Sequence, residues 1–274
     1  MKELSFEGGG GLNIFARVWR PETGPRAVVV IAHGVNSHGA YYTWVGEQLS
    51  SAGFAVYALD HRGRGRSDGE RYFVQSIDEY VKDLATFIQL AKSREPGLPV
   101  FLLGHSAGGV ISSTYTLEHQ QELAGFICES FAFQVYAPDF ALAVVKGLSH
   151  VAPHAHVLRL PIKEFSRDPK VIQAMLADPM IADEVQPTST VAALVRADER
   201  LKKEFPLIKL PVLILHGTAD KVTKPGGSQL FYDTAGSTDK TLKLYEGHAH
   251  DLLNDLGKEG VLGDIRAWID ARLR

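Results

Sequence analysis

The sequence predicts an α/β fold with a mostly parallel central sheet flanked by helices, and three observations support that prediction. Short apolar runs alternate with longer stretches of helical periodicity. The runs are almost continuously apolar, which is typical of strands buried on both faces. The alternation stops between about residues 130 and 206, where we expect an inserted helical cap over the sheet.

The predicted strands begin as a hairpin and continue as single runs. Residues 4–6 and 13–19 flank four glycines at 8–11, which predicts an antiparallel hairpin with a flexible turn. Six further apolar runs predict strands at 27–32, 55–59, 100–103, 125–128, 212–216 and 242–245.

Five helices are predicted beside the sheet, at 42–51, 76–92, 107–118, 227–234 and 258–272. The second has the clearest pattern, because Ile77, Val81, Leu84 and Ile88 recur at helical spacing.

The region without predicted strands contains several prolines and two helix-like patches, at 140–148 and 191–201. We therefore divide the chain into a core, residues 1–130 and 207–274, and a cap insertion, residues 131–206. A length of 274 residues suits one large domain with such an insertion.

Composition excludes several classes of function. A net charge of −3 provides no basic surface for nucleic acid, so no nucleic-acid partner is expected. No apolar stretch is long enough to span a membrane, and the N-terminal residues do not resemble a signal peptide. The single cysteine, Cys128, cannot form an internal disulfide and suits a reducing compartment. We expect a cytoplasmic protein.

The most informative motif is Gly-His-Ser-Ala-Gly at residues 104–108. It follows a predicted strand and begins a predicted helix, which is the context of a nucleophile elbow. Side chains at the two glycine positions would collide with the flanking strand and helix. The turn would present the Ser106 hydroxyl and direct the Ala107 amide toward an oxyanion.

A serine nucleophile needs a histidine base and a carboxylate that orients the histidine. Asp220 is the predicted carboxylate, because it closely follows the strand at 212–216. No other candidate aspartate follows a predicted strand so directly. Two histidines, His248 and His250, follow the strand at 242–245, and their spacing alone leaves both open as the base.

Other candidate site residues follow the strand at 27–32 or begin the cap. Gly34 lets the chain turn toward the elbow, so the Val35 amide is the predicted second oxyanion donor. Asn36 and His38 are predicted to line the pocket mouth. Phe131 and Tyr136 would either line an acyl pocket or pack the cap onto the sheet. No metal site and no cofactor are expected.

Several motifs in this order resemble the monoacylglycerol lipase and lysophospholipase group of α/β-hydrolases. The similarity covers most of the chain outside the cap. Its motifs are Ala-His-Gly at 32–34 with His38, Asp-His-Arg-Gly-Arg-Gly-Arg-Ser-Asp-Gly at 60–69, the elbow, and the segments at 216–220 and 245–250. The segment at 60–69 is predicted to be structural, a tight loop with buried ion pairs.

The resemblance implies an α/β-hydrolase fold, a serine esterase of lipid metabolism and a monoacylglycerol or lysophospholipid substrate. It also favours His250 over His248 as the base. Two departures lie near the predicted pocket. Ser37 stands where the family often has glutamate, and Glu129-Ser130-Phe131 stands where serine or alanine followed by proline is usual.

We therefore expect hydrolysis of carboxylic esters with an apolar acyl chain through Ser106, Asp220 and His250. The alternatives are an esterase for small or aromatic soluble esters, or a thioesterase, peptidase or perhydrolase with the same triad. A non-enzymatic ligand-binding module is disfavoured because all three triad residues and both glycines are present. An exposed apolar face of the cap would allow contact with a lipid surface without spanning it.

Overall fold

The computed structural model describes residues 1–273, and their centre is an eight-stranded sheet. Two short strands, β7 and β8, form a separate ribbon. The ten strands are β1 (Lys2–Glu7), β2 (Asn13–Trp19), β3 (Ala27–Ala32), β4 (Phe54–Leu59), β5 (Val100–His105), β6 (Gly125–Glu129), β7 (His156–Leu158), β8 (Gln186–Pro187), β9 (Val212–Gly217) and β10 (Lys240–Tyr245).

The order of the main sheet is β1-β2-β4-β3-β5-β6-β9-β10. The β1–β2 and β2–β4 pairs are antiparallel and all the others are parallel. The predicted α/β-hydrolase fold and all eight strands of the main sheet are confirmed. The prediction that every single run is buried on both faces was wrong for β10, whose residues are half-buried or exposed. This strand lies at the sheet edge and pairs only with β9 within residues 1–273.

Helices cover both faces of the sheet. Their bounds are α1 (Thr43–Ser51), α2 (Ile77–Arg94), α3 (Ala107–His119), α4 (Asp139–Leu148), α5 (Pro169–Ala177), α6 (Thr188–Glu204), α7 (Pro225–Thr234) and α8 (Lys258–Asp270). One core contains buried residues of α2, α3, α6 and α7, and the opposite core contains those of α1 and α8. All five helices predicted beside the sheet are confirmed, with ends shifted by two residues or fewer.

The predicted antiparallel hairpin of β1 and β2 is confirmed, and its glycine turn is anchored to α2. Residues Gly9–Gly11 form a short 3-10 turn. The Gly9 amide donates a hydrogen bond of 2.8 Å to Asp83 on α2. A Cβ at Gly8 would lie 2.5 Å from the same carboxylate. Glycine is therefore required here for close approach.

The loop at 60–69 is built from buried ion pairs and left-handed glycines, as predicted. Asp60 accepts a 2.7 Å bond from Arg17, and Asp83 accepts a 2.6 Å bond from Arg62. Gly65 has φ +51, and an added Cβ there would lie 2.2 Å from Asp60. The loop is thus fixed to the sheet and to α2.

Residues 131–206, which we call the insertion, contain α4, α5 and α6 together with the β7–β8 ribbon. The expectation that this region lacks strands was wrong in that respect, because the ribbon is too short to show a periodic pattern. The helix-like patches at 140–148 and 191–201 lie within α4 and α6, whereas α5 was not predicted. Helix α6 contributes Ala193, Ala197 and Leu201 to the main core, so the insertion packs directly on the sheet layers.

Replacing Gly108 with alanine tests the close approach at the elbow. The added Cβ would lie 2.1 Å from the Ala32 carbonyl oxygen and 2.5 Å from that of His33, so backbone must move. We expect Gly108→Ala to lower the free energy of unfolding by about 1–3 kcal/mol in urea denaturation. The control is Gly263→Ala on α8, where nothing lies within 4 Å, and it should be neutral or up to about 1 kcal/mol stabilising. Equal stability of the two variants would contradict the steric argument.

Candidate active site

Ser106 occupies a strained turn between β5 and α3. Its backbone has φ +55 and ψ −120, a conformation that residues other than glycine rarely adopt. The Ser106 amide donates a 2.9 Å hydrogen bond to the Glu129 carbonyl at the end of β6. A Cβ at Gly104 would lie 2.6 Å from the Gly108 carbonyl oxygen. Close packing on both sides therefore maintains the turn that presents the hydroxyl.

The three predicted triad residues form one chain of hydrogen bonds. The Ser106 Oγ lies 2.9 Å from His250 Nε2, and His250 Nδ1 lies 2.7 Å from Asp220 Oδ2. These contacts correspond to a tautomer in which Nδ1–H donates to the carboxylate and Nε2 accepts from the hydroxyl. All three side chains are buried.

Asp220 is held as a carboxylate by several donors. Its Oδ1 accepts from the amides of Val222 and Thr223 at 2.7 and 2.9 Å. Its Oδ2 also lies 3.0 Å from His216 Nε2. Burial alone would raise the pKa of Asp220, but His250 and His216 outweigh burial and hold the pKa well below its usual range. Our sequence analysis assigned no role to His216 or Thr223, although both lie beside the predicted acid.

The structure separates the two histidines that spacing left open. His248 is half-buried, with its ring 5.5 Å from that of Tyr245 and its Nδ1 3.7 Å from Asp255. His250 is fully buried against the edge of the Phe165 ring, 5.1 Å away, and contacts Ser106. Only His250 therefore has the geometry of a base for Ser106.

Val35 and Ala107 line the same narrow cavity beside the elbow. An added Cβ at Gly34 would lie 2.8 Å from Ser106 Cβ, so the segment after β3 packs closely against Ser106. Neither the Val35 amide nor the Ala107 amide donates a hydrogen bond to any part of residues 1–273. Both amides are thus available to an oxyanion. The cavity has room for about one water molecule, too little for an acyl chain in this conformation.

The other predicted pocket residues lie in different surroundings. Asn36 and His38 are buried, and His38 Nε2 lies 2.8 Å from Asp178 of the insertion. Phe131 is buried in a cluster of aromatic rings with Phe133, Phe205 and Phe231. Tyr136 is 58% exposed and donates a 3.0 Å hydrogen bond to the Asp220 carbonyl. Asn36 and His38 therefore face the insertion, Phe131 packs in the core, and Tyr136 lies at the surface above the acid.

Comparison with known proteins decides the family. The model of the family described as Serine aminopeptidase, S33 matches residues 23–257. The chain belongs to this family. The monoacylglycerol lipase of Mycolicibacterium smegmatis is 36% identical over 273 residues, which cover 99% of this chain and 98% of that protein.

Two solved structures are also similar to this chain. Paleococcus ferrophilus monoacylglycerol lipase superposes with a TM-score of 0.86 at 29% identity, over 94% of this chain and 99% of that one. A soluble variant of Saccharomyces cerevisiae monoglyceride lipase, bound to a substrate analog, has a TM-score of 0.89 at 25% identity, over 99% and 94% of the two chains. The resemblance to the monoacylglycerol lipase group is confirmed, and this family member is a carboxylic ester hydrolase.

A larger cavity, of about 360 Å³, is lined by no residue of the triad. Its lining includes Met1, Arg20 and Glu95, at the outer strands β1 and β2. It contains no nucleophile beside a base. The narrow cavity at the elbow is therefore the better candidate for chemistry despite its size.

Beneath His250 lies a buried group of potential metal ligands. Ligand atoms of His105, Glu129 and Asp251 lie within 4.8 Å of one another. Burial raises the pKa of Glu129 well above its usual range, and burial and the charge of Asp255 raise the pKa of Asp251 to about 6. Both carboxyl groups therefore hold a proton to higher pH than an exposed carboxyl group does.

The raised pKa of Asp251 predicts a trend in stability with pH. An unfolded aspartate titrates near about 3.9, whereas buried Asp251 titrates at about 6, so wild type loses stability as pH rises between those values. Over that window, we expect the free energy of unfolding of Asp251→Asn to rise relative to that of wild type by at most about 3 kcal/mol. At higher pH the difference should stay constant. Melting temperatures from pH 4 to 8 measure this.

The control for that measurement is Asp183→Asn, which removes an exposed carboxylate of the insertion and should show no comparable trend. A difference between Asp251→Asn and wild type that stays constant from pH 4 to 7 would contradict the buried-acid interpretation.

Proposed function

We propose that this chain is a serine esterase that cleaves carboxylic esters with an apolar acyl chain, of the monoacylglycerol or lysophospholipid type. The observation that supports this best is the hydrogen-bonded chain from Ser106 through His250 to Asp220. Full-length similarity to proteins named monoacylglycerol lipase supports the substrate class.

In the proposed mechanism, Ser106 Oγ bonds to the ester carbonyl carbon and its proton passes to His250 Nε2. The carbon–oxygen bond to the alcohol then breaks, and His250 returns the proton to the leaving oxygen. Water attacks the acyl-enzyme by the same route and releases the acid and Ser106. Asp220 keeps the imidazole oriented and stabilises its positive charge throughout.

The tetrahedral intermediates carry a negative oxygen, and we assign its stabilisation to the amides of Val35 and Ala107. The Ala107 amide is at the N-terminus of α3, where the helix dipole adds a partial positive charge. Preorganised donors of this kind each contribute about 10²–10³ in rate. The proposed reaction needs no cofactor, because every proton is transferred by His250.

Substrate size separates the proposal from its alternatives. Small or aromatic soluble esters would need less space than the apolar chain of a monoacylglycerol. Thioesters and peptides remain alternatives with the same triad, and the family description includes an aminopeptidase. The esterase proposal is favoured because relatives covering nearly the whole chain are lipases by name.

A lipid substrate would be reached through a lipid surface, and α4 offers an apolar stripe for that contact. Phe140 and Val144 lie one turn apart and are 73% and 63% exposed, and Val151 just beyond the helix is 82% exposed. Exposed apolar side chains on one helix face favour peripheral binding. No helix within residues 1–273 is long and apolar enough to cross a membrane. A cytoplasmic location remains a prediction.

Ser106→Ala tests the proposed nucleophile. We expect hydrolysis of p-nitrophenyl esters and labelling by a fluorophosphonate probe to fall by at least about 10³-fold, because no other group takes the acyl chain. The matched control is Ser113→Ala, which replaces a buried serine of α3 outside the triad. This variant should retain both hydrolysis and labelling. Labelling that survives in Ser106→Ala would refute the proposal. Maximal turnover on acetyl rather than longer acyl chains would select the small-ester alternative.

The double variant Phe140→Asp/Val144→Asp tests the surface contact. Both side chains are exposed, so folding should be unaffected, while binding to phosphatidylcholine vesicles should weaken about tenfold or more. Co-sedimentation measures binding, and p-nitrophenyl butyrate hydrolysis should change less than about twofold. Leu207→Asp, an exposed leucine outside the stripe, is the control. Unchanged vesicle binding in the double variant would exclude α4 as the contact.

A further inference from the structure

We propose that Glu184, a buried carboxylate of the insertion, is a positioning residue for the oxyanion segment that follows β3. The inference rests on the proposed esterase function and names a residue that acts through Asn36 rather than on the substrate.

Glu184 bonds to the core with both of its oxygens. Its Oε2 accepts a 2.9 Å hydrogen bond from the Asn36 amide, 148 residues away in the sequence. Its Oε1 pairs with the Arg64 guanidinium, which also donates a 2.8 Å bond to Gln186 Oε1. The side chains of Arg64 and Glu184 are almost completely buried. Water therefore cannot easily replace these contacts.

The bond to Asn36 lies one residue beyond the proposed oxyanion donor. Asn36 has φ +51, a left-handed conformation that costs free energy in residues other than glycine. Its side chain donates a 3.3 Å bond to the Ile181 carbonyl, also in the insertion. The Asn36 amide belongs to the peptide plane that begins at Val35. Holding that plane in place therefore limits the orientations available to the Val35 amide.

The charge of Glu184 makes Arg64 necessary. A bare carboxylate near the oxyanion segment would oppose the negative charge that develops on the substrate. Arg64 lines the narrow cavity together with Val35 and Ala107, and its attraction to Glu184 outweighs burial and raises its pKa. The ion pair is therefore neutral overall, and Glu184 acts on the Asn36 amide as a fixed acceptor.

This arrangement makes the oxyanion segment depend on the insertion. Val35 and Asn36 belong to the core segment that follows β3, whereas Glu184 and Ile181 belong to the insertion. If the insertion shifts, the left-handed turn at Asn36 loses both contacts. The Val35 donor is therefore held in place only while the insertion is seated on the core.

The experiment replaces Glu184 with glutamine, which keeps the shape but has a single acceptor oxygen. Because Arg64 is a cation, it takes that oxygen, and the amide nitrogen then faces the Asn36 donor. We expect kcat for p-nitrophenyl butyrate to fall about 10–100-fold while KM changes less than about threefold. The matched control is Gln186→Leu, which removes one contact to Arg64 and one to Glu184 Oε1 but leaves the Asn36 bond to Oε2. It should keep kcat within about twofold of wild type.

A second variant separates positioning from stability. In Arg64→Met/Glu184→Gln, the glutamine oxygen is free to accept from Asn36, so kcat should recover at least about fivefold over Glu184→Gln. Melting temperatures of all variants show how much stability each has lost. Glu184→Asp, which retains the charge, replaces Glu184→Gln if the latter fails to fold, and a lower kcat at unchanged KM is again expected.

The inference is overturned if Glu184→Gln and Gln186→Leu lose kcat equally, or if the double variant shows no recovery. Failure of the proposed function is visible separately. In that case wild type itself lacks esterase activity, or Ser106→Ala retains it.

Discussion

The left-handed turn at Ser106 is the constraint on which the rest of the site depends. A non-glycine residue at φ +55 is kept there only because its neighbours leave no alternative. β5 ends directly before the turn and α3 begins directly after it, while Gly34, just after the adjacent strand β3, lies so close that a side chain there would meet Ser106. The parallel sheet brings the carboxyl ends of β3, β5, β9 and β10 to one edge, so residues that follow four separate strands meet at one hydroxyl.

The electrostatics of the site follow from its burial. His250 and Asp220 are almost completely excluded from water, so each needs partners within the protein. Asp220 finds five, two backbone amides, the Thr223 hydroxyl and two histidines, and its pKa stays well below its usual range. Glu129 and Asp251, close by, have fewer donors, and burial favours their protonated forms. Carboxyl groups in the same buried region are thus tuned in opposite directions, which leaves Asp220 as the anion beside His250.

The insertion is part of the site rather than a separate cover. Helix α6 contributes to the main core, the Phe165 ring lies nearly perpendicular to that of His250, and Glu184 reaches the segment beside Val35. Arg64, the partner of Glu184, lines the narrow cavity at the elbow, so the contacts that order the oxyanion segment lie at the cavity wall. Substrate entry and transition-state stabilisation would then be linked by the same contacts.

The sequence by itself determined the strands of the main sheet, the helices beside it, the elbow and the candidate acid Asp220, because each leaves a local signal. An apolar run, a helical periodicity or the glycines around Ser106 can each be recognised from a short stretch of sequence. Only the tertiary structure distinguished His250 from His248 by its contact with Ser106. It also showed that β10 is an edge strand and that Glu184 bonds to Asn36, 148 residues away in the sequence. Such contacts depend on how distant segments pack, and a side chain's distant partner leaves no periodic trace in its own neighbourhood.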